Sequence, residues 1–94
     1  MKHYIISKFK EGVDWRALAE PVKALFEETL TIPGIRGVEL KLNCTDRANR
    51  YHMMIIMDME PEALPVYDAC EPHKRWKADY GDLLEKKAIF DCED

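Results

Sequence analysis

The chain has 94 residues, 47% of them hydrophobic and 34% charged, with 14 Lys and Arg against 18 Asp and Glu for a net charge of −4. That is one domain's worth of chain, residues 1–94, and too little for a second core. The acidic balance excludes a phosphate-backbone reader, and the short apolar run Tyr4–Ile6, flanked by lysines, predicts neither a membrane span nor a signal peptide.

Cys44, Cys70 and Cys92 are odd in number and show no CxxC spacing. A disulfide framework and a structural zinc site are therefore not expected, and the expected address is the reducing cytoplasm. A domain of this length buries roughly 60 to 65% of its unfolded surface. With disulfide and metal set aside, a second subunit is the expected stabiliser.

In chain order, residues 3–10 are rich in β-branched and aromatic types and stop at Glu11-Gly12, which predicts a strand. Trp15, Leu18, Ala19, Val22, Leu25, Phe26 and Thr29 then fall at helical spacing, with Asp14 placed to cap them and Pro21 predicting a kink or a separate first turn. After the Pro33-Gly34 turn, Val38, Leu40 and Leu42 alternate with polar neighbours as an edge strand does. Residues 44–50 form a polar connection, and 51–59 a strand with large apolar groups on both faces: Tyr51, Met53, Ile55, Met57 and Met59 against His52, Met54, Ile56 and Asp58. Pro61 and Pro65 suit early helical positions, and the apolar spacing from Val66 to Leu84, broken at Pro72, predicts a helix and then a short second one. Ala88, Ile89 and Phe90 mark a last strand over 86–91.

The order β-α-β-β-α-β is that of the ferredoxin-like α+β fold, an antiparallel four-stranded sheet with helices on one face. Because the first and third strands offer apolar groups on both faces, something must cover the second. A face-to-face homodimer does so without leaving a large exposed apolar patch.

The chemistry-bearing residues are few. There is no glycine-rich phosphate loop, HExxH or GxSxG. Of the three histidines, His3 and His52 sit near strand ends, and antiparallel pairing of the first and third strands places His3 nearer Asp58 than His52, which disfavours a metal pair. Tyr67, Cys70 and His73 follow one another at steps of three and can share one helical side. An imidazole can take a proton from a carbon beside a carbonyl while a phenol donates to the developing oxyanion. The plainer reading makes Tyr67 a core residue and His73 a helix-end one. Trp76, Tyr80 and Trp15 suit a pocket wall or ordinary core. Asp68 and Glu71 disfavour Cys70 as a thiolate nucleophile.

The opening Lys2–Lys10 segment, the Ile32-Pro33-Gly34 turn, Tyr67 with His73 six residues on, and the closing Ile89-Phe90-Asp91 together resemble the stress-responsive A/B barrel (Dabb) family over nearly the whole chain. The resemblance implies a ferredoxin-like protomer that pairs into a dimeric α/β barrel. Most members have no assigned activity, and a plant branch closes a polyketide ring by aldol-type condensation without a cofactor. Carried over, the catalytic pair falls on Tyr67 and His73, with His3 and His52 matching further pocket histidines; Trp76 joins the candidate pocket only from its aromatic spacing. Where the family writes Tyr-x-x-His-Pro-x-His, this chain has Cys70 at the first His and its proline one place later, at Pro72.

The expected function is thus a small, mostly apolar cavity reached by Tyr67 and His73. It would bind a carbonyl-bearing molecule and catalyse cofactorless enolisation or aldol-type cyclisation, with no metal or cofactor. The alternatives are a non-catalytic dimeric binding or structural module, and a cofactorless or haem-type monooxygenase on the same barrel architecture.

Overall fold

The computed structural model describes residues 1–93. Four strands, β1 (Lys2–Phe9), β2 (Ile35–Leu42), β3 (Met53–Met59) and β4 (Leu84–Cys92), form one antiparallel sheet in the order β2-β3-β1-β4. The helices α1 (Ala19–Glu27), α2 (Leu64–Asp68) and α3 (Glu71–Tyr80) complete the ferredoxin-like α+β fold. β2 is an edge strand as its one-sided alternation predicts.

The core lies between helices and sheet. From β1 and β3 the alternate residues Ile5, Phe9, Met53, Ile55, Met57 and Met59 are buried there, and Val22, Leu25, Phe26, Tyr67 and Trp76 meet them from the helices. This follows from the period of two along a strand, which gives each face its own residue set. The other face carries Tyr4 and Ile6 of β1, Met54 and Ile56 of β3, and Ala88 and Phe90 of β4. No helix of the described residues is long and apolar enough to cross a membrane.

Three local expectations need correction. The first helical segment has the separate first turn that Pro21 predicts, a 3-10 turn (Trp15–Leu18) followed by α1 and a second 3-10 turn (Glu28–Thr31), but the Asp14 side chain makes no capping hydrogen bond. Pro21 is the third residue of α1, where its missing N–H removes no intrahelical bond. The second helical segment breaks at Ala69–Cys70 rather than at Pro72, and α3 is the long piece, ten residues to five for α2. Pro72 lies in the first turn of α3, where proline's fixed φ suits helix initiation. β3 starts at Met53, leaving Tyr51 and His52 in the preceding connection, and β4 runs longer than expected, from Leu84 to Cys92.

Candidate functional site

At one end of the core, β1, β4, α2 and α3 bring His3, Asp91, Tyr67 and His73 together. His3 is the first core-facing residue of β1 and is buried. It stands opposite Asp91 of β4, and His3 Nδ1 donates to the Asp91 carboxylate. The His3 and Tyr67 rings meet edge to face, with centroids 5.5 Å apart and planes at 64°. Tyr67 in turn lies against His73, centroids 4.8 Å apart.

Tyr67 and His73 do not share one continuous helical face. Cys70 has extended backbone (ψ 159°), so the chain turns between α2 and α3. The turn is closed by Cys70 N–H donating to the Tyr67 carbonyl at 3.0 Å, and by His73 Nδ1 donating to the Asp68 carbonyl at 2.9 Å. A carbonyl oxygen only accepts, so the proton of neutral His73 sits on Nδ1 and Nε2 keeps its lone pair. The Tyr67 and His73 rings still meet across the turn because Pro72 sits inside the first turn of α3 without turning His73 away.

The electrostatics suit acid–base work. Burial chiefly lowers the His73 pKa below the ordinary imidazole value, assisted by Lys77 and Lys87, while the Asp68 carbonyl and carboxylate act the other way. His73 is thereby a neutral base at neutral pH. Burial likewise pushes the Tyr67 phenol well above its usual value, with Cys70 and Asp68 adding to it, so it stays protonated and can only donate its proton in a hydrogen bond. Tyr67 is 1% exposed, yet its hydroxyl has no hydrogen-bond partner among the described residues. An orphaned buried hydroxyl of this kind costs about 1–3 kcal/mol. It is the strongest local sign of a missing ligand oxygen.

The other expected site residues are placed as follows. Trp76 is buried against Phe26 and Tyr80 as a core residue of α3. The structure does not bring His52 to the cluster. His52 Nδ1 accepts from the Phe9 backbone N–H at 3.0 Å, six residues along β1 from His3, or about 20 Å on an extended strand. Antiparallel pairing of β1 with β3 forces this separation.

Two clefts, of about 550 and 410 Å³, open at the His52 end, and neither is lined by Tyr67 or His73. These two clefts therefore do not serve the Tyr–His pair. Tyr67 is covered, and His73 is the partly exposed member. No group of three or more His, Cys, Asp and Glu among the described residues is arranged to hold a metal ion.

Sequence reasoning missed Asp91 as a partner of His3 and missed Ser7, which is buried on the core face of β1 with an unpartnered hydroxyl. Ser7 was detectable, since a hydroxyl two residues from Ile5 and from Phe9 must share their buried face. The Asp91 pairing required the register of strands 88 residues apart.

No family model and no curated protein matches the chain. Solved structures do. A dimeric protein of unknown function and ferredoxin-like fold from Bacteroides fragilis is similar with a TM-score of 0.79 at 18% identity, covering 99% of this chain and 94% of its own. A dabb family protein from Mesorhizobium loti gives 0.65 at 18% identity, covering 99% and 94%. The hydroxynitrile lyase of Passiflora edulis gives 0.73 at 12% identity, covering 95% and 87%. At these identities the likeness establishes the shared fold, a ferredoxin-like protomer of the kind found in dimeric proteins.

Proposed function

We propose that this chain is a homodimeric Dabb-type protein whose His3–Tyr67–His73–Asp91 cluster binds a carbonyl-bearing small molecule and promotes cofactorless enolisation or aldol-type chemistry. The observation that carries this reading is the Tyr67 hydroxyl, buried, held protonated and unpartnered beside a neutral imidazole. His73 Nε2 removes a proton from the carbon next to the carbonyl, and its Nδ1–H remains on Asp68 O and steadies the ring as positive charge develops. Tyr67 O–H donates to the oxygen as it becomes an enolate. Asp91 fixes the His3 ring, which also packs against Tyr67.

Removing an oxyanion donor costs about 10² to 10³ in rate, and removing a general base about 10² to 10⁴. The test is exchange of α-protons for deuterium in D₂O across a panel of small ketones, aldehydes and β-dicarbonyl compounds, followed by NMR. The expected result is exchange of at least one class, reduced by those factors in Tyr67→Phe and His73→Ala. Exchange no faster than buffer, or unaffected by both substitutions, overturns the reading.

The burial of the Tyr67 ring favours a second reading, a non-catalytic dimeric module with Tyr67 as core. Thermal-shift screening of wild type and His73→Ala separates the two, because a ligand seated at the cluster loses its stabilising effect in the variant.

A further inference from the structure

His52 is held by more contacts than packing requires. Its Nδ1 accepts from Phe9 N–H at 3.0 Å, its own N–H donates to the Ser7 carbonyl at 2.9 Å, and its carbonyl accepts from Asn43 N–H at 2.9 Å. The ring lies parallel to Trp15, with centroids 4.6 Å apart and planes at 8°, and to Phe9 at 6.3 Å and 16°. An amide N–H aimed at Nδ1 demands a bare lone pair there. The single ring proton therefore sits on Nε2, and a second has no place to go. Burial, Lys8 and Arg16 hold the ring neutral against the opposing pull of Glu85. His52 is thus a fixed, uncharged N–H donor, the reverse of the base assigned to His73.

His52 lines the two larger clefts at its end of the molecule, which are of the size small-molecule sites require. The cations around it are Lys8, Lys10, Arg16 and Arg47, and the carboxylates are Glu11, Asp46 and Glu85. Lys8 is already engaged by Glu85 at 3.6 Å and by the Ala48 carbonyl at 2.7 Å. Arg16 is held over the Trp15 ring, 4.4 Å from its centroid. Among the described residues neither Arg16 nor Arg47 forms an ion pair. Two guanidinium groups outside any ion pair therefore share a cleft with a neutral imidazole whose one proton is on Nε2, the combination that suits a carboxylate or phosphate group.

We infer that the His52 clefts form a second small-molecule site, separate from the Tyr67–His73 cluster, that takes an oxyanion group accepting from His52 Nε2–H and lying against Arg16 and Arg47. The carboxylates Asp46, Glu11 and Glu85, which also line these clefts, select against polyanions, so the ligand is a small molecule with one carboxylate or phosphate group.

The experiment is NMR of the full chain with long-range ¹H–¹⁵N detection of the imidazoles and arginine side chains. Inorganic phosphate and acetate are titrated in separate arms at constant ionic strength against chloride. The expected result is saturable shifts of His52 Nε2–H and of the Arg16 and Arg47 guanidinium signals in at least one arm. Affinity should fall about tenfold or more in Arg16→Gln and Arg47→Gln, the loss of one charge-assisted hydrogen bond, and should be unchanged in His73→Gln. The two arginine substitutions lie on exposed side chains and leave the His52 bonds in place. Shifts that never saturate, that chloride reproduces, or that survive both arginine substitutions overturn the inference. So does a spectrum that places the His52 proton on Nδ1.

Discussion

The Tyr67 hydroxyl sets stability against chemistry. Buried without a partner, it weakens the free protein, and Phe keeps the ring contacts with His3 and His73 while removing the orphaned donor. Tyr67→Phe is therefore expected to stabilise the protein by about 1 kcal/mol, seen as a raised urea midpoint, in the same variant that loses proton exchange. A destabilised Tyr67→Phe would show that the hydroxyl has a partner after all. The imidazoles make a second prediction. His52 and His73 both have folded pKa values below the ordinary one, with burial as the leading cause. A lowered folded pKa means that the unfolded chain binds more protons, so stability falls as pH drops below about 6.5 and stops falling beneath the folded values. Urea midpoints between pH 8 and 5 should fall in that direction, and His73→Gln should flatten part of the slope. An equal slope in the variant would remove His73 as a source. The Tyr67–His73 contact arises across the turn at Cys70 and not from the shared helical side that steps of three suggest. The environments that set the protonation of the two residues were not legible in the sequence, because burial and the Asp68 carbonyl depend on that same turn.

At the scale of elements, alternation along the strands and the punctuation at Pro33-Gly34 were enough to place the strands along the chain, because each depends on a residue and its near neighbours. The helix breaks were less legible. A proline marks either the end of one helix or the first turn of the next, and at Pro72 the second applies, which moved the boundary and lengthened α3. Two glycines offer a test of how turns position the site. Gly12 and Gly34 have φ of +90° and +95°, which L side chains rarely adopt. A Cβ at Gly12 would meet nothing within 4 Å, whereas at Gly34 it would lie 3.2 Å from Ala63 Cβ and 3.4 Å from Glu60 Cβ, beside the bond from Glu60 N–H to the Gly34 carbonyl. Gly12→Ala should cost only the backbone strain, about 1 to 2 kcal/mol. Gly34→Ala should cost more, and because Ala63 immediately precedes α2, it should also disturb the Tyr67–His73 ring contact. Chemical denaturation ranks the two, and equal losses would mean that the Ala63 turn yields without cost.

For the molecule as a whole, one sheet face is buried under helices and the other is not. Tyr4, Ile6, Met54, Ile56 and Ala88 are only partly exposed in the single chain, while Phe90 is 59% exposed. Charged residues ring them at the strand ends, with Lys2 and Asp58 paired at 3.5 Å. An apolar centre with a polar rim is the anatomy of a subunit interface, and a twofold axis through the face brings each copy's patch onto its own image. Phe90 is the residue to change, since its exposure makes it dispensable to the protomer. Burying one Phe side chain contributes about 1.5 to 3 kcal/mol, and a twofold dimer buries two, so Phe90→Asp forfeits roughly 3 to 6 kcal/mol of association, more than a hundredfold in Kd. Sedimentation should show wild type as a dimer whose thermal midpoint rises with concentration, and Phe90→Asp as a folded monomer whose midpoint does not. If wild type sediments as a monomer at tens of micromolar, the apolar face has some other cover and the homodimer is wrong. If Phe90→Asp sediments as a dimer, the interface lies elsewhere on the sheet.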